Sequence, residues 1–275
     1  MTIPLQDKRH WKITDLDFSC IDIPATRRDE NLFYLLACAS FVESGANVYA
    51  SNLVDFYRND AELSDWLRNH WEVEELQHGA ALRAYVNYVW PEFDWERAYR
   101  SFLGEYAGYC KVELLESTRT QELAARCVVE TGTATYYRAL ARSTSEPVLR
   151  QLAHRIADDE VSHYKQFYRS FRRYREQEGT GRLRTLGTLC RRTLELKSED
   201  ADCAIRHVIK IRDPLHADDV PQRQRLLATM NHTVRTHLTP DTTIKMIMKP
   251  LELPPMLQSM VQYPLIHFMQ RVFLR

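Results

Sequence analysis

The 275-residue sequence has few of the residues that interrupt helices, with 8 glycines and 11 prolines, and no strand-like alternation of apolar and polar positions. Runs with the period of an α-helix dominate from Arg28 to about Arg175. Because 44% of the residues are apolar, a chain of this length can bury a substantial core. We therefore predict an all-α fold, built as one enlarged domain.

Other absences narrow the class of function. The formal net charge is zero, which removes the general electrostatic case for nucleic acid or an anionic membrane as a partner. No cationic, apolar leader opens the chain, and no apolar run approaches the roughly 18 residues of a spanning helix. The six cysteines form no Cys-x-x-Cys pair, so zinc and iron–sulfur sites are not expected. These features predict a soluble, cytoplasmic protein with reduced thiols and no membrane span.

Two Glu-x-x-His tetrads carry the strongest chemical signal, at Glu75–His78 and Glu160–His163. Residues three apart share a face of a helix, so each tetrad offers one carboxylate and one imidazole to a common point. A lone glutamate, Glu43 or Glu130, precedes each tetrad by roughly 30 residues, the length of a helix and its return. Four carboxylates and two histidines directed inward from four helices form a ligand set for two metal ions. The pattern thus predicts a di-iron carboxylate site.

The apolar positions predict that these ligands face the core. On the fourth predicted helix, Leu152, Ile156 and Phe167 follow three-and-four spacing in phase with Glu160 and His163. The other three helices show the same register. The alternative is that both tetrads are solvated pairs on helix surfaces.

The same periodicity divides the chain into three parts. Residues 1–27 form an irregular segment, residues 28–178 the bundle, and residues 182–275 a helical extension beyond a glycine-rich linker. The predicted N-caps are Thr26, Asp60 and Ser145, and Trp11 and Phe18 are predicted to anchor the first segment on the bundle. The predicted bundle helices are 28–57, 61–89, 119–142 and 146–175, with a crossover helix over 95–117 that makes the second and third parallel.

Two segments have open interpretations. The arginine-rich stretch Lys165–Arg192 is either a solvated helix face or a docking surface for an acidic protein. The final segment, Met256–Arg275, is either a helix packed on the bundle or a substrate lid, a dimer contact or a membrane-surface helix.

The ligand blocks resemble those of the acyl-[acyl carrier protein] desaturases, in the ferritin-like di-iron carboxylate superfamily. Glu74–Gly79, with Leu82 and Tyr85, is similar to the second-helix block of that family, and Leu149–His163 to its fourth-helix block. The resemblance covers about residues 30–175. It implies a ferritin-like four-helix bundle with one long crossover connection and additional C-terminal helices. It also implies one iron held by Glu43, Glu75 and His78 and a second by Glu130, Glu160 and His163, with Glu75 and Glu160 bridging.

Two more positions take a role from the resemblance alone. Thr133 falls where the family has a threonine on the oxygen side of the metals, and Asp159 where an aspartate orients a ligand histidine. Each also has a plainer interpretation. A threonine within a helix bonds to a backbone carbonyl, and an aspartate beside a ligand can face solvent.

These features favour an oxygen-dependent di-iron oxidoreductase of the desaturase, hydroxylase or N-oxygenase type. Two irons, cycling between Fe2+ and Fe3+, are the expected cofactor, and manganese competes on ligand type. The expected partners are O2, an electron donor such as a ferredoxin, a small-molecule or carrier-bound substrate, and a second copy in a homodimer. The alternatives are a ferritin- or bacterioferritin-like ferroxidase, which needs no long C-terminal extension, and a metal-free interaction module.

Overall fold

The computed structural model of the protein describes residues 11–195 and 199–273. All regular secondary structure in these ranges is helical, which confirms the predicted all-α class. The α-helices, in chain order, are α1 Ile23–Arg27, α2 Glu30–Ser44, α3 Ala46–Phe56, α4 Ala61–Trp66, α5 Glu72–Val89, α6 Trp95–Tyr106, α7 Arg119–Ser143, α8 Pro147–Glu178, α9 Arg182–Glu195, α10 Glu199–Arg212, α11 Val220–His237, α12 Pro240–Met248 and α13 Pro255–Phe273.

Four long helical arms form the centre: α2 with α3, α4 with α5, α7, and α8. Contacts between their ends show that the first arm runs antiparallel to α7. The hydroxyl of Tyr57, just past α3, donates to the carbonyl of Arg119 at the start of α7, at 2.9 Å. The hydroxyl of Tyr136, late in α7, donates to the carbonyl of Leu35, early in α2, at 2.9 Å.

The second arm runs antiparallel to α8. Tyr85 near the end of α5 donates to Glu146 at the start of α8, at 2.7 Å. Trp71 at the start of α5 packs on Phe167, far along α8. Because a short turn joins α7 to α8, these two helices are also antiparallel. The helices α5 and α7 therefore run in the same direction, as the predicted crossover requires.

Two of the predicted bundle helices depart from a regular α-helix. The first breaks at Gly45 into α2 and α3. The second is continuous, but a π-helical turn over Leu67–Trp71 joins α4 to α5. A π-helical turn contains more residues than an α-helical turn. Residues four apart, from Leu63 through Leu67 and Trp71 to Glu75, therefore stay on one buried face.

The crossover helix and two of the three caps differ from the predictions. Helix α6 ends at Tyr106, and the chain to α7 contains only a short 3₁₀ turn. Thr26 lies inside α1, and Asp29 caps α2 instead. Glu146 rather than Ser145 caps α8, because its carboxylate accepts from two backbone N–H groups of the first turn. Asp60 caps α4 as predicted.

The flanking segments pack on the bundle. Trp11 and Phe18 join the main core, which confirms their predicted anchoring, although residues 23–27 of the segment predicted to be irregular are helical. In the extension, α10 and α11 contact α2 and α12 contacts α7. Helix α13 packs on α12, where Ile266 joins Ile244 and Met248. The prediction for this last segment extends to Arg275, and residues 274–275 lie outside the described ranges.

The arginine-rich stretch is largely paired within the chain. Arg175 and Arg172 both contact Glu252, at 2.8 Å and 2.9 Å. Arg173 pairs with Asp60, and Arg191 pairs with Glu116. These internal ion pairs favour a structural role for the stretch.

Within residues 11–195 and 199–273, one helical stretch is long and apolar enough to cross a membrane, by length and composition. It covers residues Glu30–Phe56, with a mean hydropathy of 1.2, and 67% of the apolar window is buried inside the fold. The core helix of a folded protein passes the same test.

Candidate metal centre

The structure brings all six predicted ligands together in the centre of the bundle. They are contributed by α2, α5, α7 and α8, and the most exposed of them, Glu75, has 8% of its surface accessible. Their ligand atoms fall into two sets, each lying within 4.8 Å. The two sets are Glu43, Glu75, His78 and Glu160, and Glu75, Glu130, Glu160 and His163. Glu75 and Glu160 belong to both sets.

The inward nitrogen of each histidine is Nδ1. The Nδ1 atom of His78 lies 3.2 Å from Glu160 Oε1 and 3.8 Å from Glu43 Oε2. The Nδ1 atom of His163 lies 3.1 Å from Glu75 Oε1 and 3.5 Å from Glu130 Oε2. Each Nδ1 atom therefore lies near two carboxylate oxygens that surround a common point, and it forms a good hydrogen bond with neither of them.

Several of these atoms are buried without a hydrogen-bond partner among the described residues: Nδ1 of both histidines, Glu130 Oε2 and Glu160 Oε1. A buried polar atom without a partner is costly, and four such atoms in one place require an explanation. Metal ions fit this arrangement, because imidazole nitrogen and carboxylate oxygen are common metal ligands. The buried geometry counts against the alternative of two solvated surface pairs.

Each histidine has an acidic partner on its outer nitrogen. The Nε2 atom of His78 lies 3.0 Å from Asp159 Oδ2, and that of His163 lies 2.8 Å from Glu74 Oε2. With Nε2 donating, the lone pair of Nδ1 points at the carboxylate cluster. Asp159 is thus in place for the role that the resemblance implies. Sequence reasoning did not assign this role to Glu74, although both residues directly precede the glutamate of a tetrad, and each bonds to the histidine of the other tetrad.

Trp11 extends the contact on the His78 side. Its indole Nε1 donates to Asp159 Oδ2 at 2.7 Å, and its ring stacks on His78 with an interplanar angle of 4°. The sequence indicated only a packing role for this residue. The hydrogen bond and the stacking fix both Asp159 and the imidazole from the N-terminal segment.

Two hydroxyl groups contact the carboxylates. Thr133 Oγ1 donates to Glu160 Oε2 at 2.7 Å, and it also lies 3.2 Å from the carbonyl of Glu130. The plainer interpretation of Thr133, a bond to a backbone carbonyl, is confirmed, and the same hydroxyl also contacts a candidate ligand. Tyr137 donates a short hydrogen bond to Glu43 Oε1. Its helical spacing from Glu130 predicts only that it is buried, because the partner lies on another helix.

The site carries more negative charge than its own residues can balance. Burial raises the pKa of Glu130 to about 8 and that of Glu75 well above its ordinary value. Burial alone would lower the pKa of His78, but its contacts with Asp159 and Glu160 outweigh burial and raise it. Burial would likewise raise the pKa of Glu160, but its contacts with His163 and His78 lower it. Without metal, the cluster therefore holds protons in place of cations.

A cavity of about 890 Å³ adjoins the site on the side of α2 and α7. All four glutamates line it and neither histidine does. Small and apolar side chains form the wall beside the carboxylates: Cys38, Ala39, Val42, Ala46 and Val129. Its volume lies in the range of pockets that hold organic ligands. A molecule in this cavity would meet the carboxylate face of the site, with the histidines on the far side.

A second group with metal-ligand chemistry is formed by Glu105, Cys203 and His207. Arg206 makes two contacts with the Glu105 carboxylate, at 2.7 Å and 3.0 Å. Burial raises the pKa of the Cys203 thiol to about 12. A carboxylate already bound by arginine and a thiol that stays protonated make this group an ion-pair cluster.

Neither a protein-family model nor a curated protein matches this chain. Its function is therefore inferred from the site itself.

Proposed function

We propose that the protein is an oxygen-dependent oxidoreductase that uses two iron ions in a ferritin-like four-helix bundle. The observation that carries this proposal is the convergence of six buried side chains into two ligand sets that share Glu75 and Glu160. Two neighbouring ligand sets that share carboxylates fit a pair of metal ions. A single ion would leave half of the set without a partner.

The helix directions support the ferritin-like fold. The helices α5 and α7 run parallel and are joined by the long connection that contains α6. Bundles of this class place one glutamate on each of two helices and a Glu-x-x-His motif on each of the other two. Here Glu43 and Glu130 lie on α2 and α7, and the two tetrads lie on α5 and α8.

Charge and ligand type support two divalent ions. Four ionised carboxylates and two neutral histidines would be balanced by two dications, which removes the cost of isolated buried charges. Mixed oxygen and imidazole ligands suit iron, and manganese is the competitor. When bound, a pair of irons supplies the redox chemistry, with electrons passing to O2 and an unreactive C–H or N–H group of the substrate being oxidised.

Neighbouring side chains hold the proposed ligands in position. Asp159 and Glu74 orient the two histidines, and Tyr137 holds Glu43. The Thr133 hydroxyl lines the cavity and donates to Glu160 Oε2, so it can hold a proton between the cavity and a shared carboxylate. We place the organic substrate and O2 in the cavity. A soluble electron donor such as a ferredoxin, a cytoplasmic location and a homodimer belong to the same proposal.

The amount of iron bound in air separates the enzyme from an iron-storage protein. The purified chain is incubated aerobically with a large excess of Fe(II) and desalted, and its iron is counted. The enzyme is expected to keep about two irons per chain and to consume O2 again after each addition of reductant. Iron that rises far above two per chain would assign the bundle to storage. Two bound irons that never consume O2 would contradict an oxidase of either kind.

A further inference from the structure

Three residues of the cavity form a layer one helical turn away from the proposed metal ligands. Trp71 precedes Glu75 by four residues on one arm, and Arg126 precedes Glu130 by four residues on α7. Because these two arms run parallel, both side chains lie at the same end of the site, a rise of about 6 Å from the glutamates. Tyr49 completes the layer from the antiparallel arm.

Tyr49 contacts each of the other two residues. The Tyr49 ring centroid lies 6.2 Å from that of Trp71, and the Arg126 guanidinium carbon lies 4.4 Å from the Tyr49 ring centroid. All three line the cavity that reaches the four glutamates. The layer is therefore part of the space that the proposed substrate occupies.

Two residues of this layer carry buried hydrogen-bond donors that have no acceptor within the described parts of the chain. Trp71 is 3% exposed and its indole Nε1 has no hydrogen-bond partner. Arg126 is 1% exposed and its Nη1 has none either. A buried donor without an acceptor has lost its hydrogen bond to water without replacement, and this loss is larger for a charged group. Two such donors in one cavity indicate a ligand that supplies the acceptors.

The internal partners of Arg126 do not satisfy it. Its Nε lies 2.9 Å from Glu122 Oε1, yet neither atom has hydrogen-bond geometry with the other. The second oxygen of Glu122 accepts from the backbone N–H of Glu116 at 2.8 Å, which fixes the position of this carboxylate. Burial, together with the charge of Arg192, lowers the pKa of Arg126 to about 9, so the guanidinium remains a cation at neutral pH.

We propose that the cavity binds an organic acid, with Arg126 Nη1 and Trp71 Nε1 donating to its carboxylate and its apolar body extending along Val42 and Ala46 toward the glutamates. This inference rests on the proposed function in treating that acid as the substrate to be oxidised. A carboxylate fits best because it offers two charged acceptor oxygens, and charge-assisted bonds to guanidinium are the stronger kind. The layer anchors one end of the acid and thereby decides which carbon meets the metal centre.

The test compares fatty acids with their primary amides at equal chain length. Octanoate and octanamide are titrated by calorimetry into the full chain, both metal-free and loaded anaerobically with Fe(II). The acid is expected to bind at least about tenfold more tightly than the amide in both forms, because the preference depends on the cation and not on the metals. Equal affinity of acid and amide, or binding of neither, would overturn the proposal.

Variants test whether Arg126 and Trp71 cause the preference for the acid over the amide. Removing Arg126 alone would leave Glu122 buried without its cation, so the double variant Glu122→Gln/Arg126→Gln is used. It should abolish the preference for the acid, and Trp71→Phe should weaken acid binding several-fold while keeping the aromatic ring. The matched control is Arg119→Gln on the same helix, where the guanidinium covers the Phe56 ring outside the cavity. A preference for the acid that persists in the double variant, or acid binding that is unchanged in Trp71→Phe, would overturn the assignment.

Iron counted on the same samples separates this inference from the proposed function. Two irons per chain with no preference for the acid would reject the organic acid alone. A preference for the acid, lost in the variants, in a chain that binds no iron would reject the oxidoreductase and leave the anion site.

Discussion

Replacing Asp159 by asparagine is expected to weaken one metal site and spare the other. Asp159 Oδ2 accepts from the outer nitrogen of His78 at 3.0 Å and from the Trp11 indole at 2.7 Å. The substitution removes the negative charge that raises the basicity of this imidazole. The other histidine, His163, bonds to Glu74 and does not contact Asp159.

The size of the effect follows from the role of such carboxylates. Loss of a residue that orients a metal-bound histidine costs about 10- to 100-fold in metal affinity, or roughly 1.4 to 2.7 kcal/mol. Asp159 is 9% exposed, so little water is available to replace it. The side chain of Glu74 is 19% exposed, so Glu74→Gln should weaken the His163 site by less.

Mn(II) titration of the metal-free chain, followed by electron paramagnetic resonance, counts the two sites separately. The wild type is expected to fill two sites in a narrow range of concentration, and Asp159→Asn to fill one as before and the second at about 10- to 100-fold higher concentration. Asp158→Asn is the matched control, because the exposed neighbouring carboxylate makes no contact with the cluster. An unchanged titration, or equal loss at both sites in a folded variant, would refute this account of Asp159.

Three further predictions concern stability. Gly79→Ala should lower the free energy of unfolding, measured by urea denaturation, by about 1–3 kcal/mol or more. The reason is that the new Cβ would lie 2.6 Å from the backbone nitrogen of Ser44. An unchanged denaturation midpoint would show that α2 and α5 can separate freely. Tyr137→Phe should lower the free energy of unfolding of the metal-free protein by about 1–3 kcal/mol, because a buried oxygen of Glu43 loses its donor. A loss below roughly 0.5 kcal/mol, the low end for one hydrogen bond, would contradict the contact. The melting temperature of the metal-free protein should fall as pH rises through about 8. Burial raises the pKa of Glu130 from 4.5 to about 8, so ionising this carboxyl costs more in the folded state than in the unfolded state, and that cost appears as pH rises from about 4.5 to about 8. The raised pKa values of the two histidines act in the same direction, because their contacts as cations with carboxylates are lost as they deprotonate. Metal affinity should rise over the same interval, because binding displaces those protons, and parallel pH curves for both forms would count against this.

The periodic helices and the ligands on them could be predicted from the sequence. Helices α7 and α8 have uninterrupted apolar stripes with clear ends, so their observed bounds lie within a few residues of the predicted ones. The ligands follow from the same stripe, since a Glu-x-x-His tetrad in phase with Leu152 and Phe167 must face the core.

Contacts between distant segments could not be predicted in the same way. Trp11 and Asp159 are 148 positions apart, and nothing local in either segment indicates their hydrogen bond. The π turn at Leu67–Trp71 has the same apolar spacing as an α-helix with slight drift, so periodicity alone misses it. Arg126 resembles any arginine that pairs with a glutamate four residues before it. Only its burial and its missing acceptor distinguish it from such pairs and support the proposed role in binding.

The central claim is that the six buried side chains hold two metal ions, and the most direct test is to count iron after anaerobic loading. The chain is loaded with Fe(II), desalted without oxygen and assayed beside Glu130→Ala, with Glu62→Ala as a control whose carboxylate is 75% exposed on the surface. About two irons per chain in the wild type and in Glu62→Ala, with a loss in Glu130→Ala, is the predicted result. No bound iron or manganese in the wild type, or equal metal content in all three proteins, would contradict it.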